Sequence, residues 1–295
     1  MRPFLTVFTC TYNRVHTIGR TYESLCRQTN KDFLWLVVDD GSTDNTHEIV
    51  EKWQSVDNGF VIRYVYKENG GLHTGYNKAI ELMDTELCVC IDSDDWMPDD
   101  AVEKIFKCWK ERCSKNYAGI VGLDFIEDNK PIGGLLPNID HCHIYDLLIK
   151  YHHNGDKKIV IRVDLLKLIA PQPTYNDEKN FNPIWLISKI DIKHEWLLLN
   201  ENLCFVDYQP DGMANGIYKQ FLNSPNSFAA LRIEYLKIPN TPIIYKIKQY
   251  LHLGSSSLMA RNLNWLNKTP YPIIAYALIP FSFLLSLYIR FRANR

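Results

Sequence analysis

Over its first hundred residues, the chain alternates continuous apolar runs with segments in which apolar residues recur at helical spacing. A short apolar run bounded by polar residues is typical of a strand buried on both faces. The spacing of Ile18, Tyr22 and Leu25 is typical of an amphipathic helix. This alternation predicts a wound α/β domain built on a parallel sheet. The four apolar runs are Phe4–Cys10, Phe33–Asp40, Phe60–Lys67 and Leu87–Asp92.

Polar and charged side chains stand at the end of each of these four runs. In a wound parallel sheet the carboxyl ends of the strands meet at one edge, and ligands bind in the crevice beyond it. One Asp-Gly-Ser turn or one Asp-x-Asp pair is ordinary in turns and caps, but recurrence at four strand ends predicts a shared binding site. The segments concerned are Thr9–Arg14, Asp39–Asp40, Gly70–His73 and Asp92–Asp95.

Three aspartates crowd the end of the fourth run, at Asp92, Asp94 and Asp95. Two carboxylates a few ångströms apart repel by roughly 1 kcal/mol in water and by more in a partly buried cleft, so a cation is needed. Oxygen ligands favour magnesium or manganese, which bind through one or two carboxylates together with substrate phosphates. The cluster predicts a divalent-metal diphosphate site with Asp94 as its main ligand. Asp92 is the second candidate ligand, and its alternative role is to accept from a ribose hydroxyl or a bound water.

Composition narrows the range of partners. The 295 residues carry 33 basic and 34 acidic side chains, so no global positive field exists to hold nucleic acid, and we expect a locally gripped small molecule. Eight cysteines are scattered without paired CxxC modules, and the first residues enter strand-like sequence without a secretory signal pattern. We therefore expect reduced cysteines and a cytoplasmic location.

Four motifs, taken in order, resemble the signature of glycosyltransferase family 2: TVFTCTYNR, VVDDGSTDNT, GGLHTGYNKAI and CIDSDDW. That family comprises inverting enzymes with the GT-A fold, a Rossmann-like α/β domain. A looser similarity through 155–167 and 208–216 extends to bacterial members that build surface polysaccharides. The resemblance implies a nucleotide-sugar-binding half at 1–100 and an acceptor half at 101–215. It also implies metal-dependent transfer of a hexosyl or N-acetylhexosaminyl group, from a UDP-sugar, to a saccharide or lipid-linked saccharide.

The same resemblance implies contacts to the donor. Thr9, Thr11 and Tyr12 would form the floor for the nucleotide base, with Tyr12 stacking on it. Asp40 would accept a hydrogen bond from the imide N–H of uracil, a donor that few bases offer beside two carbonyls. His73 would contact the sugar or the phosphates. Other donor-site candidates are Asn13, Asp92 and Asp94, while the alternatives are a packing role for Tyr12 and a turn cap for Asp39.

Inversion needs a general base that takes the proton of the acceptor hydroxyl. By the family resemblance this acid lies in a stretch similar to EKF-x-PE, which here reads NDEKNFNPIWL, Asn176–Leu186. Ile184 stands where the acid after the proline is expected. Glu178 and Asp177 are therefore the nearest candidates for the base. Further candidates are Asp207 and Asp211.

The missing acid at Ile184 leaves a rival function open. A chain that has lost the base could serve as a noncatalytic nucleotide-sugar-binding or scaffold protein of a polysaccharide assembly complex. A sugar-phosphate nucleotidyltransferase is a weaker rival, because TCTYNR is not the glycine-rich, basic phosphate loop that such an enzyme needs.

The C-terminal region, 216–295, differs in composition from the rest. Its segment 270–289 has 20 residues without a charge, but Pro272 and Pro280 interrupt it and arginines follow it. A single crossing would leave those arginines outside, against the positive-inside tendency. We therefore expect helices that lie on the cytoplasmic face of the cell membrane without crossing it, as a peripheral anchor. The alternative is a soluble helical subdomain or a homodimer contact.

Overall fold

The structure, a computed structural model, describes residues 2–126, 130–209 and 216–294. Within these residues, nine strands form one mixed sheet. Its first two strands are buried along their whole length, as expected of apolar runs covered on both faces. The strands are β1 Leu5–Thr11, β2 Phe33–Asp39, β3 Val61–Tyr66, β4 Leu87–Cys90, β5 Tyr117–Ile126, β6 Lys130–Pro131, β7 His141–Cys142, β8 Lys157–Arg162 and β9 Glu195–Phe205.

The strand order confirms the predicted alternation of strands and helices in the first hundred residues. The order along the sheet is β3-β2-β1-β4-β8-β5-β9-β7, with β6 paired to β5. Strand β1 pairs in parallel with both β2 and β4, so the carboxyl ends of these three strands lie side by side. Strand β8 runs antiparallel to β4 and β5. The ends of β2 and β4, which carry the aspartates, thus lie at one edge of the sheet on either side of the end of β1.

The helices of the first half connect these parallel strands in turn, and a series of helices follows the last strand. Helix α1 (Ile18–Cys26) contains Ile18, Tyr22 and Leu25, the residues whose spacing predicted it. The described helices are α1 Ile18–Cys26, α2 Thr46–Gln54, α3 Leu72–Leu82, α4 Ala101–Arg112, α5 Ile144–Ile149, α6 Val163–Ile169, α7 Ile184–Asp191, α8 Ile217–Asn223, α9 Pro225–Lys237, α10 Ile243–Met259, α11 Asn264–Asn267, α12 Pro272–Ala277 and α13 Ile279–Ala293.

The core of the sheet region centres on Trp35 of β2, which is fully buried. The rings of Tyr22 and Trp53 stack at 4.2 Å between centroids, and Tyr22 also stacks on Trp35. Large aromatic side chains bury the most area per residue, and such pairs add about 0.5–1.5 kcal/mol beyond area burial. This packing holds α1 and α2 against one face of the sheet.

The described residues divide into two units. The first comprises 2–70, 74–126, 130–171 and 193–207, and it contains the whole sheet. The second comprises 71–73, 172–192, 208–209 and 216–294. The segment 172–192 thus groups with the C-terminal helices, and its residue Tyr175 packs edge-on against Trp265 of α11. The assignment of donor and acceptor halves stays a prediction.

Close helix packing characterises the second unit. At Gly254 of α10 a Cβ would overlap the hydroxyl of Ser282 on α13, so these two helices approach as only a residue without a side chain permits. Phe221, Phe228 and Ile289 form an apolar cluster that joins α8, α9 and α13. The predicted helical C-terminal region is therefore confirmed.

The apolar segment at 270–289 forms two helices, α12 and α13, which meet at Leu278. In the part of the chain that the structure describes, no helix combines the length and the apolar character needed to cross a membrane. The break falls where Pro280 would prevent one continuous helix, because proline lacks the N–H that an interior position needs.

Candidate functional site

The residues after β1 differ in what their side chains can reach. Thr9 is fully buried, and its hydroxyl accepts a hydrogen bond from the indole N–H of Trp35 at 3.0 Å. Thr11 is also buried, and its hydroxyl has no hydrogen-bond partner within the described residues. Tyr12 is 48% exposed. Of the three residues expected under the base, Tyr12 is accessible for stacking, whereas Thr9 is committed to the core.

Asn13 joins the end of β1 to the turn after β2. Its backbone N–H donates to the hydroxyl of Ser42 at 2.9 Å, and its side-chain oxygen accepts from the N–H of Thr43 at 2.7 Å. Its φ of 53° lies in the left-handed region, which asparagine tolerates better than most residues. Asn13 therefore shapes the site, and direct contact with the donor stays a prediction.

The two aspartates after β2 have different surroundings. Asp39 is fully buried, and its carboxylate accepts from the N–H of Ser42 at 2.7 Å and from the hydroxyl of Tyr64 at 2.7 Å. This is the turn-capping geometry considered for Asp39. Burial and the neighbouring carboxylate of Asp39 raise the pKa of Tyr64 well above its usual range.

Asp40 is held by a set of donors from the loop after β3. Its Oδ1 accepts hydrogen bonds from the ammonium of Lys67 and from the N–H of Gly70, the latter at 3.0 Å. The side-chain amide of Asn69 donates to the Asp40 carbonyl at 2.7 Å and to Oδ2 at 3.3 Å. Lys67 also donates to Thr74 at 2.8 Å. The carboxylate is thereby oriented and charge-balanced before any ligand arrives.

Asp92 and Asp94 follow β4 as predicted. Asp92 is exposed and Asp94 half-buried, so both carboxylates can reach a ligand from solvent. Burial and the charge of Asp92 raise the pKa of Asp94, and Arg14 opposes this shift. A cation bound between two such carboxylates would relieve their repulsion.

The carboxylate oxygens of Asp92 and Asp94 suit magnesium or manganese as metal ligands, because both ions prefer oxygen ligands and complete their coordination with water and phosphate. Within the described residues, no group of three or more histidine, cysteine, aspartate or glutamate side chains is placed to hold a metal by itself. The carboxylates Asp92 and Asp94 would therefore hold the ion together with a diphosphate.

A buried ionic layer lies directly beneath this pair. Lys158 of β8 sits 3.6 Å from Asp124 of β5 and 4.0 Å from Asp95. All three side chains are almost completely buried. Burial raises the pKa of Asp124 to about 6, against the opposing effect of Lys158. For Lys158, the surrounding carboxylates outweigh burial and raise the pKa, so we regard Lys158 as charged.

Asp207, a candidate base, lies beside this layer at the end of β9. Its N–H donates to Asp95 at 3.2 Å, and its carboxylate accepts from Arg20 at 2.6 Å. The guanidinium of Arg20 lies 4.9 Å from the ring centroid of Trp96. Asp207 is thus anchored in an ion pair near the aspartate cluster. Asp211, the other candidate of this stretch, lies outside the described residues.

The remaining predicted site residues belong to the second unit. His73 is buried, and its ring centroid lies 6.2 Å from that of Phe181. At Gly71, φ is +92° and a Cβ would overlap the carbonyl oxygen of Lys179. The glycine loop and the segment of the candidate bases therefore meet within this unit. Contact of His73 with sugar or phosphate stays a prediction.

Glu178 is buried and fully engaged at the start of α9. Its Oε1 accepts from the backbone and side-chain nitrogens of Asn226, both at 2.8 Å. Its Oε2 accepts from the N–H and the hydroxyl of Ser227, at 2.7 and 2.6 Å. A carboxylate at a helix N-terminus satisfies N–H groups that have no partner inside the helix and interacts favourably with the helix dipole. This geometry favours a structural role for Glu178.

The surroundings of Asp177 differ from those of Glu178. It is exposed, and its φ of 63° lies in the left-handed region. A non-glycine residue in this conformation is sparsely populated and often marks a functional position. Ile184, where an acid was expected, begins α7. Asp177 is thus the accessible carboxylate of the candidate segment.

Sequence reasoning missed Lys67, Lys158 and Asp124. Lys67 stands at the end of the third apolar run, so its position among the strand ends could have identified it. Lys158 alternates with Val160 on β8, and both are buried. A charged residue in register with buried apolar ones signals a buried partner. Nothing local to Asp124 identifies that partner, because the pairing depends on the register of β5 and β8.

The family model for glycosyl transferase family 2 matches residues 6–156, slightly more than half of the 295 residues. Curated relatives include the putative teichuronic acid biosynthesis glycosyltransferase TuaG of Bacillus subtilis, 31% identical over 119 residues, which are 40% of this chain and 47% of TuaG. The putative glycosyltransferase EpsH of the same organism is 34% identical over 105 residues, 36% of this chain and 30% of EpsH. Each alignment spans less than half of the relative.

Solved structures resemble nearly the whole chain. The structure of residues 1–349 of S. aureus TarS in complex with UDP-GlcNAc has a TM-score of 0.61 and 18% identity, covering 98% of this chain and 88% of that one. Mannosyltransferase PcManGT from Pyrobaculum calidifontis in complex with GDP-Man and Mn2+ has a TM-score of 0.58 and 17% identity, covering 100% of this chain and 84% of that one. At these identities the likeness establishes the fold. The chain belongs to glycosyl transferase family 2 and has the GT-A fold.

Proposed function

We propose that this protein is an inverting glycosyltransferase that moves a sugar from a UDP-sugar to a saccharide or lipid-linked saccharide in surface polysaccharide synthesis. One observation carries the proposal: the oriented carboxylate of Asp40 and the pair Asp92 and Asp94 end strands β2 and β4, which flank β1 on either side. A base-recognition group and a diphosphate-binding group are thereby set at one edge of one sheet. The description of TuaG as a putative teichuronic acid biosynthesis glycosyltransferase and the binding of UDP-GlcNAc by TarS support this reaction class.

The base of the donor would bind between Tyr12 and Asp40. Tyr12 offers an accessible ring for stacking, and the Asp40 carboxylate, which already accepts from Lys67, Gly70 and Asn69, would also accept from the imide N–H of the base. The hydrogen bond from Lys67 keeps this carboxylate aligned. Uracil is the base that best matches a fixed acceptor.

A magnesium or manganese ion, when bound by Asp92 and Asp94 with the diphosphate, would neutralise the charge that develops on the departing nucleotide. The chain's own contribution is to hold the two carboxylates in place. Asp95, directly after Asp94, is tied to the N–H of Asp207 and to the buried charge of Lys158. This anchored residue fixes the backbone from which Asp94 projects.

The proton of the acceptor hydroxyl would pass to Asp177. Asp177 is accessible, whereas Glu178 already accepts four hydrogen bonds and caps α9. A base needs a free lone pair that can approach the hydroxyl to within hydrogen-bond distance. Of the two candidates named from the sequence, accessibility therefore supports Asp177 rather than Glu178.

The noncatalytic alternative keeps one observation in its favour. Ile184 replaces the expected acid, and Glu178 is committed to a helix cap, so the segment would lack a base if Asp177 did not act. The protein would then bind a nucleotide-sugar without transferring its sugar. A measurement of sugar transfer to an acceptor distinguishes the enzyme from the noncatalytic binding protein.

We further propose that α12 and α13 dock on the membrane surface. Of the four buried positions of α13, Ser282, Ser286 and Ala293 are small and Ile289 is large, whereas many of its exposed positions are large and apolar. A surface helix of a soluble domain has the opposite arrangement. The exposed residues are Ile273, Ile274 and Tyr276 of α12 and Phe281, Phe283, Leu284, Leu287, Tyr288 and Phe291 of α13. We call these nine residues the apolar patch.

The experiment is a donor screen. Purified protein is incubated with UDP-sugars and GDP-sugars, with and without manganese, and protection against thermal unfolding and release of nucleotide are measured. We expect a UDP-sugar to raise the melting temperature in a manganese-dependent manner and to be turned over with an acceptor. Protection by GDP-sugars alone would contradict the role of Asp40. Protection without turnover on any saccharide or lipid-linked acceptor would favour the noncatalytic alternative.

A further inference from the structure

Arg232 of α9 is an unusual cation because no carboxylate pairs with it in the described structure. One guanidinium nitrogen donates to the side-chain oxygen of Gln249 on α10 at 3.0 Å, and the group lies 5.7 Å from the ring of Tyr235. Its Nε is buried without a hydrogen-bond partner within the described residues. Burial lowers the pKa of Arg232, yet a guanidinium stays charged at any physiological pH. A half-buried guanidinium without a carboxylate partner in the described residues is suited to bind an anion.

One further cation, Lys248, and the imidazole of His252 lie on the side of α10 that meets Arg232. Tyr245 and His252 are four and three residues from Gln249, and Lys248 is three residues from Tyr245 and four from His252, so the four residues form one stripe along the helix. Burial, together with the charges of Arg232 and Lys248, lowers the pKa of His252 to about 4. As a neutral ring His252 still offers one N–H donor. Lys248 is exposed and leaves the cluster open to solvent.

The surrounding sequence supplies almost no negative charge. Between 216 and 295 there are ten basic side chains and one acidic side chain, Glu234. Glu234 accepts from Lys237 at 2.9 Å, one turn further along α9. The anion that Arg232 lacks must therefore come from outside this region of the sequence.

We propose that Arg232, Lys248 and His252 bind a phosphate group, and that this phosphate is the headgroup of an anionic phospholipid. The planar guanidinium and the ammonium match phosphate oxygens, and Tyr245 adds a hydroxyl. The lipid source follows from the adjoining surface. Ile243, Ile244 and Ile247 are 66%, 78% and 40% exposed on the first turns of α10, and Ile244 lies one turn from Lys248. Apolar side chains beside a phosphate site match the boundary between headgroups and acyl chains.

The choice of a lipid as the source of the phosphate rests on the proposed membrane docking, whereas the phosphate site itself stands without it. Basic residues near an anionic membrane surface are attracted to it electrostatically. In addition to this general attraction, Arg232, Lys248 and His252 would bind the phosphate of one phospholipid headgroup directly. It would orient the second unit on the membrane independently of the apolar patch.

The first test measures binding of inorganic phosphate through the melting temperature of the full chain. A ligand that binds the folded state raises the melting temperature as its concentration increases. We expect Arg232→Gln and Lys248→Gln to lose most of this increase. Lys237→Gln is the matched control, because it removes one positive charge from the same helix outside the cluster. If phosphate raised the melting temperature equally in the wild type and in all three variants, the increase would be a general salt effect and the proposed phosphate site would be wrong. Lys248→Gln keeps the test decisive if Arg232→Gln fails to fold.

The second test identifies the source. Co-sedimentation is measured with vesicles of phosphatidylcholine plus phosphatidylglycerol and with vesicles of phosphatidylcholine alone. We expect Lys248→Gln and Arg232→Gln to bind the anionic vesicles several-fold more weakly than Lys237→Gln. Unchanged vesicle binding in variants that have lost the phosphate effect would overturn the lipid assignment. Protection by UDP-sugar, measured in parallel, should be unaffected, which separates failure of this inference from failure of the proposed function.

Discussion

Glu178 accepts hydrogen bonds from both the N–H and the hydroxyl of Ser227, at 2.7 and 2.6 Å, although the two residues are 49 positions apart. This contact joins the segment of the candidate bases to the first turn of α9. Because the carboxylate also accepts from Asn226, its removal would leave several buried donors without an acceptor. Glu178 therefore supports the loop that presents Asp177.

The first prediction is that Glu178→Gln destabilises the fold and leaves the chemistry intact. The amide keeps one acceptor oxygen and turns an NH2 group toward existing donors, so the free energy of unfolding should fall by about 1–3 kcal/mol. Urea denaturation measures this change, and initial rates at a temperature where the variant is folded measure the turnover rate. Glu201→Gln is the control, since its exposed ion pair with Lys104 should be worth about 0–1 kcal/mol. A large loss of turnover with unchanged stability would restore Glu178 as the base.

The second prediction concerns Asp177. Asp177→Asn removes the proton acceptor but keeps a residue that tolerates the left-handed φ of 63°, so folding should be preserved. We expect the turnover rate to fall by roughly 10²–10⁴-fold, with little change in donor KM, because the base acts only as the proton leaves. Asp177→Glu should recover part of the rate. Normal turnover in Asp177→Asn would move proton transfer away from this segment, with Asp207 as the next candidate.

The third prediction is that Asp94 carries the metal dependence. Asp94→Asn keeps the shape of the side chain and removes the charge that opposes the cation. The loss of several kcal/mol of transition-state stabilisation corresponds to more than about 100-fold in manganese-dependent turnover. Asp99→Asn is the matched control, because Asp99 lies in the same loop but pairs with Arg27 at 3.0 Å. Full activity of Asp94→Asn, or of the wild type in excess chelator, would exclude this role.

The fourth prediction concerns the apolar patch. Replacing Phe281, Leu284 and Phe291 with serine should strongly reduce vesicle binding, since burial of each large apolar side chain contributes about 1.5–3 kcal/mol. These side chains are 61%, 62% and 54% exposed, so the fold should tolerate the changes. Leu168→Ser, at a residue 78% exposed in the first unit, is the control. A shift from dimer to monomer in the triple variant, with no change in vesicle binding, would show that a second copy covers the patch.

The fifth prediction concerns pH. The folded state holds the pKa of His252 at about 4, below the ordinary value near 6.5, so only the unfolded chain takes up this proton between those values. Stability should therefore decrease as pH falls from about 6.5 to about 4, by up to about 1.4 kcal/mol per pH unit from this group. Thermal or urea unfolding across this range measures the slope, which should be shallower in His252→Gln. An identical slope in that variant would assign the effect to other groups.

Local sequence patterns were enough to predict the first four strands, the alternation of strands and helices around them and the residues that end these strands. Continuous apolar runs and helical spacing are local signals, so β1 to β4 and their helices followed from short windows of sequence. Asp40, Asp92 and Asp94 followed from the same signals, because parallel strands must end at a common edge. The motifs of glycosyltransferase family 2 lie at these strand ends, and the resemblance to that family predicted the GT-A fold.

Only the tertiary structure decided what the neighbouring acids do. Glu178 and Asp177 are adjacent in the sequence, yet one is buried in a helix cap and the other is exposed, because the donors to Glu178 come from residues 48 and 49 positions away. The ion pair of Lys158 with Asp124 depends in the same way on strand register, and the lack of a carboxylate partner for Arg232 depends on how α9 and α10 pack. Local patterns predict elements, but the role of a charged side chain is set by partners that folding brings from distant parts of the chain.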